Sequence, residues 1–127
     1  MEFFAEIDCQ AVSAERLYEL VTIAHLPDLC ASIDSVVSIQ SPEYGEIYCV
    51  WGQFQVSRER IRNGVRLALL NCPHALAWSI AAKEKETSVV VHCTIDDKKA
   101  EAEFVESIEH FVNDWMQGLL RALANCA

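Results

Sequence analysis

The first residues of the chain alternate between apolar and polar side chains, which is the period of a half-buried β-strand. Beyond this strand the apolar positions change to helical spacing, with Ser13 as the predicted N-cap. Pro27 interrupts that spacing, so we expect a second short helical segment over about 27–33 rather than one straight helix. The apolar residues of the strand are Phe3, Ala5, Ile7 and Cys9.

The middle of the chain predicts a run of antiparallel strands. One strand is expected over 34–39, a turn over 41–45, and one or two strands over 46–57. Three later turns are expected at Asn63-Gly64, around Pro73 and at the charged run 83–86. Asn63-Gly64 favours a type I′ turn, whose two central residues both need a positive φ.

Pairing outward from these turns brings apolar side chains together on one face of the sheet. It places Arg58 opposite Leu69, Leu67 opposite Trp78, and Trp78 opposite Val91. Turns that were placed independently agree on the same face, which supports a real meander. The predicted apolar face comprises Val65, Leu67, Leu69, Leu76, Trp78, Ile80, Val89, Val91, Cys93 and Ile95.

The closing segment returns to helical spacing and predicts a long C-terminal helix. Asp96 or Asp97 is its predicted N-cap. We expect this helix to lie on the apolar face of the sheet, with Trp78 within reach of Phe111 or Trp115. Its apolar stripe comprises Phe104, Ile108, Phe111, Val112, Trp115, Leu119 and Leu123.

This order of elements resembles the START-like or SRPBCC superfamily, also called the helix-grip fold. The patterns that carry the resemblance are 12–18 opening the first helix, His25-Leu26-Pro27 after it, 76–80 in a late strand and 104–123 as the closing helix. The resemblance covers nearly the whole chain and implies a single START-like α+β domain over 1–127. It also implies a cavity between sheet and helix, which relatives use for lipids, polyketides, hormones or other apolar molecules, and sometimes for cyclase chemistry.

A helix from Ser57 to Cys72 is the alternative to the hairpin at Asn63-Gly64. With that helix, the order of elements would resemble the acidic class I type III secretion chaperones. Asn63-Gly64 in the middle of a helix opposes this fold, because glycine alone costs ~1 kcal/mol there. The hairpin is therefore the favoured interpretation, and it predicts that Gly64→Ala destabilises the fold.

Composition and charge exclude several classes of function. Nineteen acidic and ten basic residues give a net charge of −9, which opposes binding to nucleic acids and anionic lipid surfaces. No basic leader and no apolar run of the ~18 residues that a span needs are visible, so we expect neither secretion nor a membrane span.

The six cysteines stand singly, which favours reduced thiols in a cytoplasmic protein. They are Cys9, Cys30, Cys49, Cys72, Cys93 and Cys126.

Arg58, Arg60 and Arg62 are the sharpest candidates for ligand chemistry. A two-residue turn places them on the apolar face, where they would suit a carboxylate or phosphate on an amphipathic ligand. A three-residue turn pairs Ile61 with Val65 and directs the arginines to solvent. The second interpretation is favoured, because burying unpaired charge is costly.

The sequence predicts no metal site and no cofactor, and it leaves open whether any residue is catalytic. The four histidines do not converge in the predicted register, and no catalytic triad or phosphate loop is visible. The predicted function is binding of a small, largely apolar or amphipathic molecule. A protein-binding or chaperone-like module, a cyclase-type enzyme and a homodimer stay open. The predicted ligand-binding residues are Trp51, Arg58, Arg60, Arg62, Leu67, Trp78, Phe111 and Trp115.

Overall fold

The computed structural model describes residues 1–83, 85 and 87–123. The helices are α1 (Ala14–Leu20), α2 (Leu26–Leu29) and α3 (Ala102–Ala122), with a 3-10 turn at Ile23–His25. The strands are β1 (Glu2–Asp8), β2 (Ile33–Ser41), β3 (Tyr44–Cys49), β4 (Gly52–Ile61), β5 (Gly64–Leu70), β6 (Ala77–Ala82) and β7 (Ser88–Thr94). These strands form one antiparallel sheet in the order β1-β7-β6-β5-β4-β3-β2. With α3 packed on the curved sheet, this is the predicted helix-grip architecture.

The early helices begin where the sequence signals predict. The Ser13 Oγ accepts a hydrogen bond from the backbone N–H of Arg16 at 3.0 Å, so Ser13 caps α1. Pro27 lies in the first turn of α2, where its missing N–H costs no helical hydrogen bond. The segment after Pro27 ends at Leu29, earlier than predicted, because β2 already begins at Ile33.

The sheet buries the predicted apolar face, although two of its registers differ from the prediction. Leu67 pairs with Trp78 as expected. However, Arg58 pairs with Leu67 rather than with Leu69, and Trp78 pairs with Cys93 rather than with Val91. Each difference is a shift of two residues, which preserves the face because side chains alternate with a period of two. All ten residues of the predicted apolar face are buried.

The β4–β5 turn consists of Arg62-Asn63, because Ile61 pairs with Gly64. Neither Asn63 nor Gly64 has a positive φ, so the predicted type I′ turn at Asn63-Gly64 is wrong. Gly64 is needed for a different reason, since a Cβ there would lie 2.0 Å from the carbonyl oxygen of Ile80. The alternative helix over 57–72 is also wrong, because this segment forms β4 and β5.

The connection between β6 and β7 accounts for the second register shift. The Lys83 N–H donates to the carbonyl oxygen of Ser88 at 2.9 Å, which continues the pairing beyond Ala82. Lys85 has a positive φ of 66° within the connection. Glu84 and Glu86, which belong to the predicted charged turn, lie outside the described residues.

Helix α3 begins at Ala102 with Glu101 at its N-cap position. The predicted caps, Asp96 and Asp97, are therefore wrong, and Asp97 instead contacts the Nδ1 of His74. The apolar stripe packs on the sheet as predicted. Its buried residues are Ile108, Phe111, Val112, Trp115 and Leu119, with Leu123 just beyond the end of the helix.

The cysteines depart from the prediction at one position. Cys9 is disulfide-bonded, so the expectation of reduced thiols is wrong for this residue. Sequence spacing does not reveal disulfide connectivity, and so it gave no indication of this bond. Cys30, Cys49, Cys72 and Cys93 are free, while Cys126 lies outside the described residues.

Gly118 of α3 allows α2 to approach closely, because a Cβ on Gly118 would lie 1.8 Å from the carbonyl oxygen of Leu29. We expect Gly118→Ala to lower the free energy of unfolding by roughly 1 to 3 kcal/mol, as overpacking does, although alanine is the better helix former by ~1 kcal/mol. Urea unfolding measures the change. The exposed neighbour Gln117 provides the control, and Gln117→Ala should stay within about 0.5 kcal/mol of wild type. Equal stability of wild type and Gly118→Ala would contradict the close contact.

Candidate functional site

Aromatic rings fill the space between the sheet and α3. The ring of Trp78 lies edge-on to Phe111 at 5.0 Å between centroids and 6.2 Å from the ring of Trp115. The ring of Trp51 also contacts Phe111, with 5.0 Å between centroids. Leu67 pairs with Trp78 across the sheet. The structure therefore brings these five predicted ligand-binding residues together, and all except Trp51 are at most 2% exposed.

Two indole N–H groups in this interior have no hydrogen-bond partner. They are the Nε1 atoms of Trp78 and Trp115, which find no acceptor within residues 1–83, 85 and 87–123. Trp51, by contrast, donates from Nε1 to the Oγ of Ser107 at 2.9 Å. Buried donors usually have a partner, since an unpaired one costs about 1 to 3 kcal/mol. The inner end of the aromatic interior thus offers two donors to an acceptor group.

An open hollow of about 280 Å³ lies at the outer end of the same ring series. Phe104 lies edge-on to Trp51 at 6.0 Å, and Trp51 in turn contacts Phe111. The ring contacts therefore lead from this hollow to Trp78 and Trp115. We call it the Trp51 hollow, and it is lined by Trp51, Phe54, Cys72, Pro73, His74, Leu76 and Phe104.

His74 is the polar ring of the Trp51 hollow. Its Nδ1 contacts the carboxylate of Asp97, and its ring packs on Phe104 with 4.2 Å between centroids. Its carbonyl oxygen also accepts a hydrogen bond from the backbone N–H of Asp96 at 2.8 Å. Sequence reasoning placed His74 in a turn and missed this role, because Asp97 and Phe104 approach it only in the folded chain.

Arg58 is buried, at 4% exposed, so the favoured prediction that it faces solvent is wrong. Its guanidinium donates to three carbonyl oxygens: Val21 at 2.6 Å, Pro42 at 3.3 Å and Tyr18. It also lies 3.8 Å from the centroid of the Tyr18 ring. Helix α1 has no basic residue in its last turn, and Arg58 supplies a cation and donors to that carbonyl end.

The other two arginines lie away from the Trp51 hollow. Arg60 is exposed and its guanidinium lies 4.7 Å from the centroid of the Tyr18 ring. Arg62 is exposed in the β4–β5 turn. Arg58 and Arg60 line a different hollow, which also has the acidic residues Glu43 and Glu59 in its walls.

The free thiols near the interior are poor nucleophiles. Burial raises the pKa of Cys30 and of Cys93 to about 12 each, and it also raises the pKa of Cys49. These thiols therefore stay protonated at neutral pH, whereas the thiolate is the reactive form.

The remaining histidines have separate partners. His25 contacts the carbonyl oxygen of Leu20, His92 contacts Glu2, and His110 lies 3.9 Å from Asp114. Across residues 1–83, 85 and 87–123, no three His, Cys, Asp or Glu side chains are grouped to hold a metal ion. The same residues include no helix with the length and apolar character of a membrane span.

Comparisons with known proteins identify a shared fold. A scan against protein-family models and a search of curated proteins found no match. A START superfamily protein from Mycobacterium smegmatis matches with a TM-score of 0.50 and 12% identity, over 96% of this chain and 92% of that chain. This chain therefore resembles a START superfamily protein in fold.

Two Bacillus structures match more closely in shape. An uncharacterized protein from Bacillus thuringiensis has a TM-score of 0.64 and 16% identity, over 98% of both chains. The protein XoxI from Bacillus cereus has a TM-score of 0.64 and 17% identity, over 97% of this chain and 94% of that chain. At these identities the likeness shows the fold alone, so function must be argued from the site.

Replacing the guanidinium of Arg58 tests its role at the end of α1. We expect Arg58→Met to lower the free energy of unfolding by about 2 kcal/mol or more, because three carbonyl oxygens lose a charged donor. Urea unfolding measures the loss. The matched control is Arg60→Met, which removes an exposed guanidinium and should cost no more than about 1 kcal/mol. Equal losses in the two variants would show that Arg58 does not hold α1 to β4.

Proposed function

We propose that this chain binds a small, largely apolar molecule between the sheet and α3, with entry through the Trp51 hollow. The observation that carries the proposal is the position of this hollow, which opens at the outer end of the aromatic interior. Its lining is mainly apolar, and Trp51 connects it by direct ring contact to Phe111 and from there to Trp78.

The size of the Trp51 hollow limits the ligand. Its volume of about 280 Å³ lies just below the ~300 to 1,000 Å³ of typical small-molecule pockets. A ligand of one or two fused rings suits this space. A long lipid would require the buried rings of Phe111 and Trp115 to move.

The two outer rings of the series are less buried than the inner rings, and we expect them to move when a ligand enters. Trp51 and Phe104 are only partly buried, whereas Phe111 and Trp115 are buried completely. The Trp51 side chain is held by a single hydrogen bond, to Ser107. In this proposal Trp51 and Phe104 adjust, Leu67 and Phe111 form the apolar floor, and the indole N–H groups of Trp78 and Trp115 attract an acceptor.

The START superfamily neighbour supports ligand binding as the class of function. The proposal assigns no contact with ligand to Arg58, Arg60 or Arg62, because Arg58 holds α1 and the other two are exposed beyond the hollow. It also assigns no nucleophilic role to Cys30 or Cys93, since burial keeps these thiols protonated.

A protein-binding role has one observation in its favour. Exposed apolar side chains cluster on β2 and β3, namely Val37, Ile39, Tyr44 and Tyr48. However, β2 is an edge strand with three irregularities in its pairing, and such bulges hinder the addition of a further strand. This surface therefore supports a partner less well than the Trp51 hollow supports a small ligand.

Filling the Trp51 hollow tests the proposal. We expect 2-methylnaphthalene to bind the wild-type chain, as followed by saturation-transfer NMR. Cys72→Phe, which places a ring in the hollow, should weaken this binding at least tenfold. Ser79→Phe adds the same ring to the opposite face of the sheet and should leave the affinity unchanged. Thermal melts check that both variants fold.

Two results would contradict the proposal. The first is no binding of 2-methylnaphthalene to the wild-type chain. The second is equal affinity in the wild type and the folded Cys72→Phe variant, since the probe would then occupy a different surface.

A further inference from the structure

We infer that His74, positioned by Asp97, recognises a hydroxyl group on the ligand of the Trp51 hollow. This inference rests on the proposed function and deepens it by naming the ligand class, a small aromatic or alicyclic alcohol or phenol. It goes beyond the fold, because nothing in the sheet-helix architecture requires a polar ring at this point.

Contacts from outside its loop hold His74 in one orientation. Its Nδ1 contacts the Asp97 carboxylate, its ring packs on Phe104, and its carbonyl oxygen is bonded to the N–H of Asp96. Three contacts from outside its own loop thus fix both the backbone and the ring. A side chain with this many restraints is preorganised for binding.

The loop that carries His74 has a constrained backbone. Asn71 and Ala75, on either side of Cys72-Pro73-His74, both have positive φ, at 62° and 51°. The Ala75 N–H closes a turn by donating to the carbonyl oxygen of Cys72 at 3.0 Å. Positive φ is unfavourable for alanine, and such backbone strain is concentrated at functional sites.

One polar atom of His74 is not used within the part of the chain that the structure describes. The Asp97 carboxylate engages Nδ1, and in this inference Nε2 serves a ligand in the hollow that His74 lines. Of the other side chains in the lining, Trp51 already donates its indole N–H to Ser107, Cys72 carries a thiol that is only a weak hydrogen-bonding group, and the rest are apolar. Nε2 is therefore the main side-chain site of polar recognition in the hollow.

The hydrogen-bonding capacity of Nε2 favours a ligand that carries a hydroxyl group. Neutral imidazole that donates from Nδ1 presents Nε2 as an acceptor, and imidazolium presents Nε2–H as a donor. A hydroxyl can both donate and accept, so it pairs with His74 in either protonation state. A purely apolar ring of the same shape would make no hydrogen bond to Nε2 and would bind more weakly for that reason.

A pair of probes with the same shape tests this inference. 2-Naphthol and 2-methylnaphthalene differ by a hydroxyl in place of a methyl group. We expect the wild-type chain to prefer 2-naphthol by about threefold to tenfold, the range that one hydrogen bond gives. His74→Phe keeps a ring against Phe104 and removes Nε2, and it should lower the ratio of the 2-naphthol affinity to the 2-methylnaphthalene affinity by the same threefold to tenfold.

Variants at Asp97 test its role as a positioning residue. Asp97→Ala should lower the preference for 2-naphthol while leaving the affinity for 2-methylnaphthalene unchanged, because only the orientation of His74 is lost. Asp97→Asn should restore most of the preference, since its amide oxygen can still accept from Nδ1–H. Asp96→Ala is the control, because Asp96 bonds to His74 through its backbone N–H, which alanine retains.

The outcomes separate this inference from the proposed function. If both probes bind the wild type equally, or if the preference persists in His74→Phe, the hydroxyl inference is wrong while ligand binding in the Trp51 hollow stands. If neither probe binds the wild type, both the inference and the proposed function are wrong.

Discussion

The contact of Trp78 with Phe111 and Trp115 joins the middle of the sheet to the middle of α3. A sheet with one apolar face needs a second layer to cover it, and in this chain aromatic rings from both layers meet at the contact. Two further restraints hold the smaller helices in place. Gly118 admits the backbone of α2 at Leu29, and Arg58 bonds the carbonyl end of α1 to β4. The Trp51 hollow is the point where the aromatic layer reaches the surface.

The faces of the strands could be predicted from the sequence with more success than their registers. The predictions for β4–β5 and β6–β7 are each displaced by two residues, yet Leu67, Trp78 and Cys93 still lie on the predicted face. Hydrophobic alternation determines the face, whereas the register depends on the turn. The Asn63-Gly64 signal was misleading because Gly64 is selected by its distance to the Ile80 carbonyl oxygen rather than by its φ.

The residues of the candidate site also fall into two groups, those whose place could be predicted from the sequence and those whose role could not. Trp78, Phe111 and Trp115 could be brought together from periodicity alone, because each lies on an apolar stripe. The roles of Arg58 and His74 could not be predicted, since their partners come from distant segments. Arg58 is buried because the carbonyl oxygens of α1 need donors, and Asp97 contacts His74 rather than capping α3. Such roles require the tertiary arrangement, which local spacing does not contain.

In the proposed binding mode, a ligand enters the aromatic interior through the Trp51 hollow. The most direct measurement is the ¹H–¹⁵N spectrum of the indole groups of Trp51, Trp78 and Trp115, recorded with and without saturating 2-naphthol. This binding mode predicts that the Trp51 signal shifts most, that the Trp78 and Trp115 signals also shift, and that the probe shows nuclear Overhauser contacts to Phe104. Bound probe with all three indole signals unchanged would contradict it, because the ligand would then lie outside the interior.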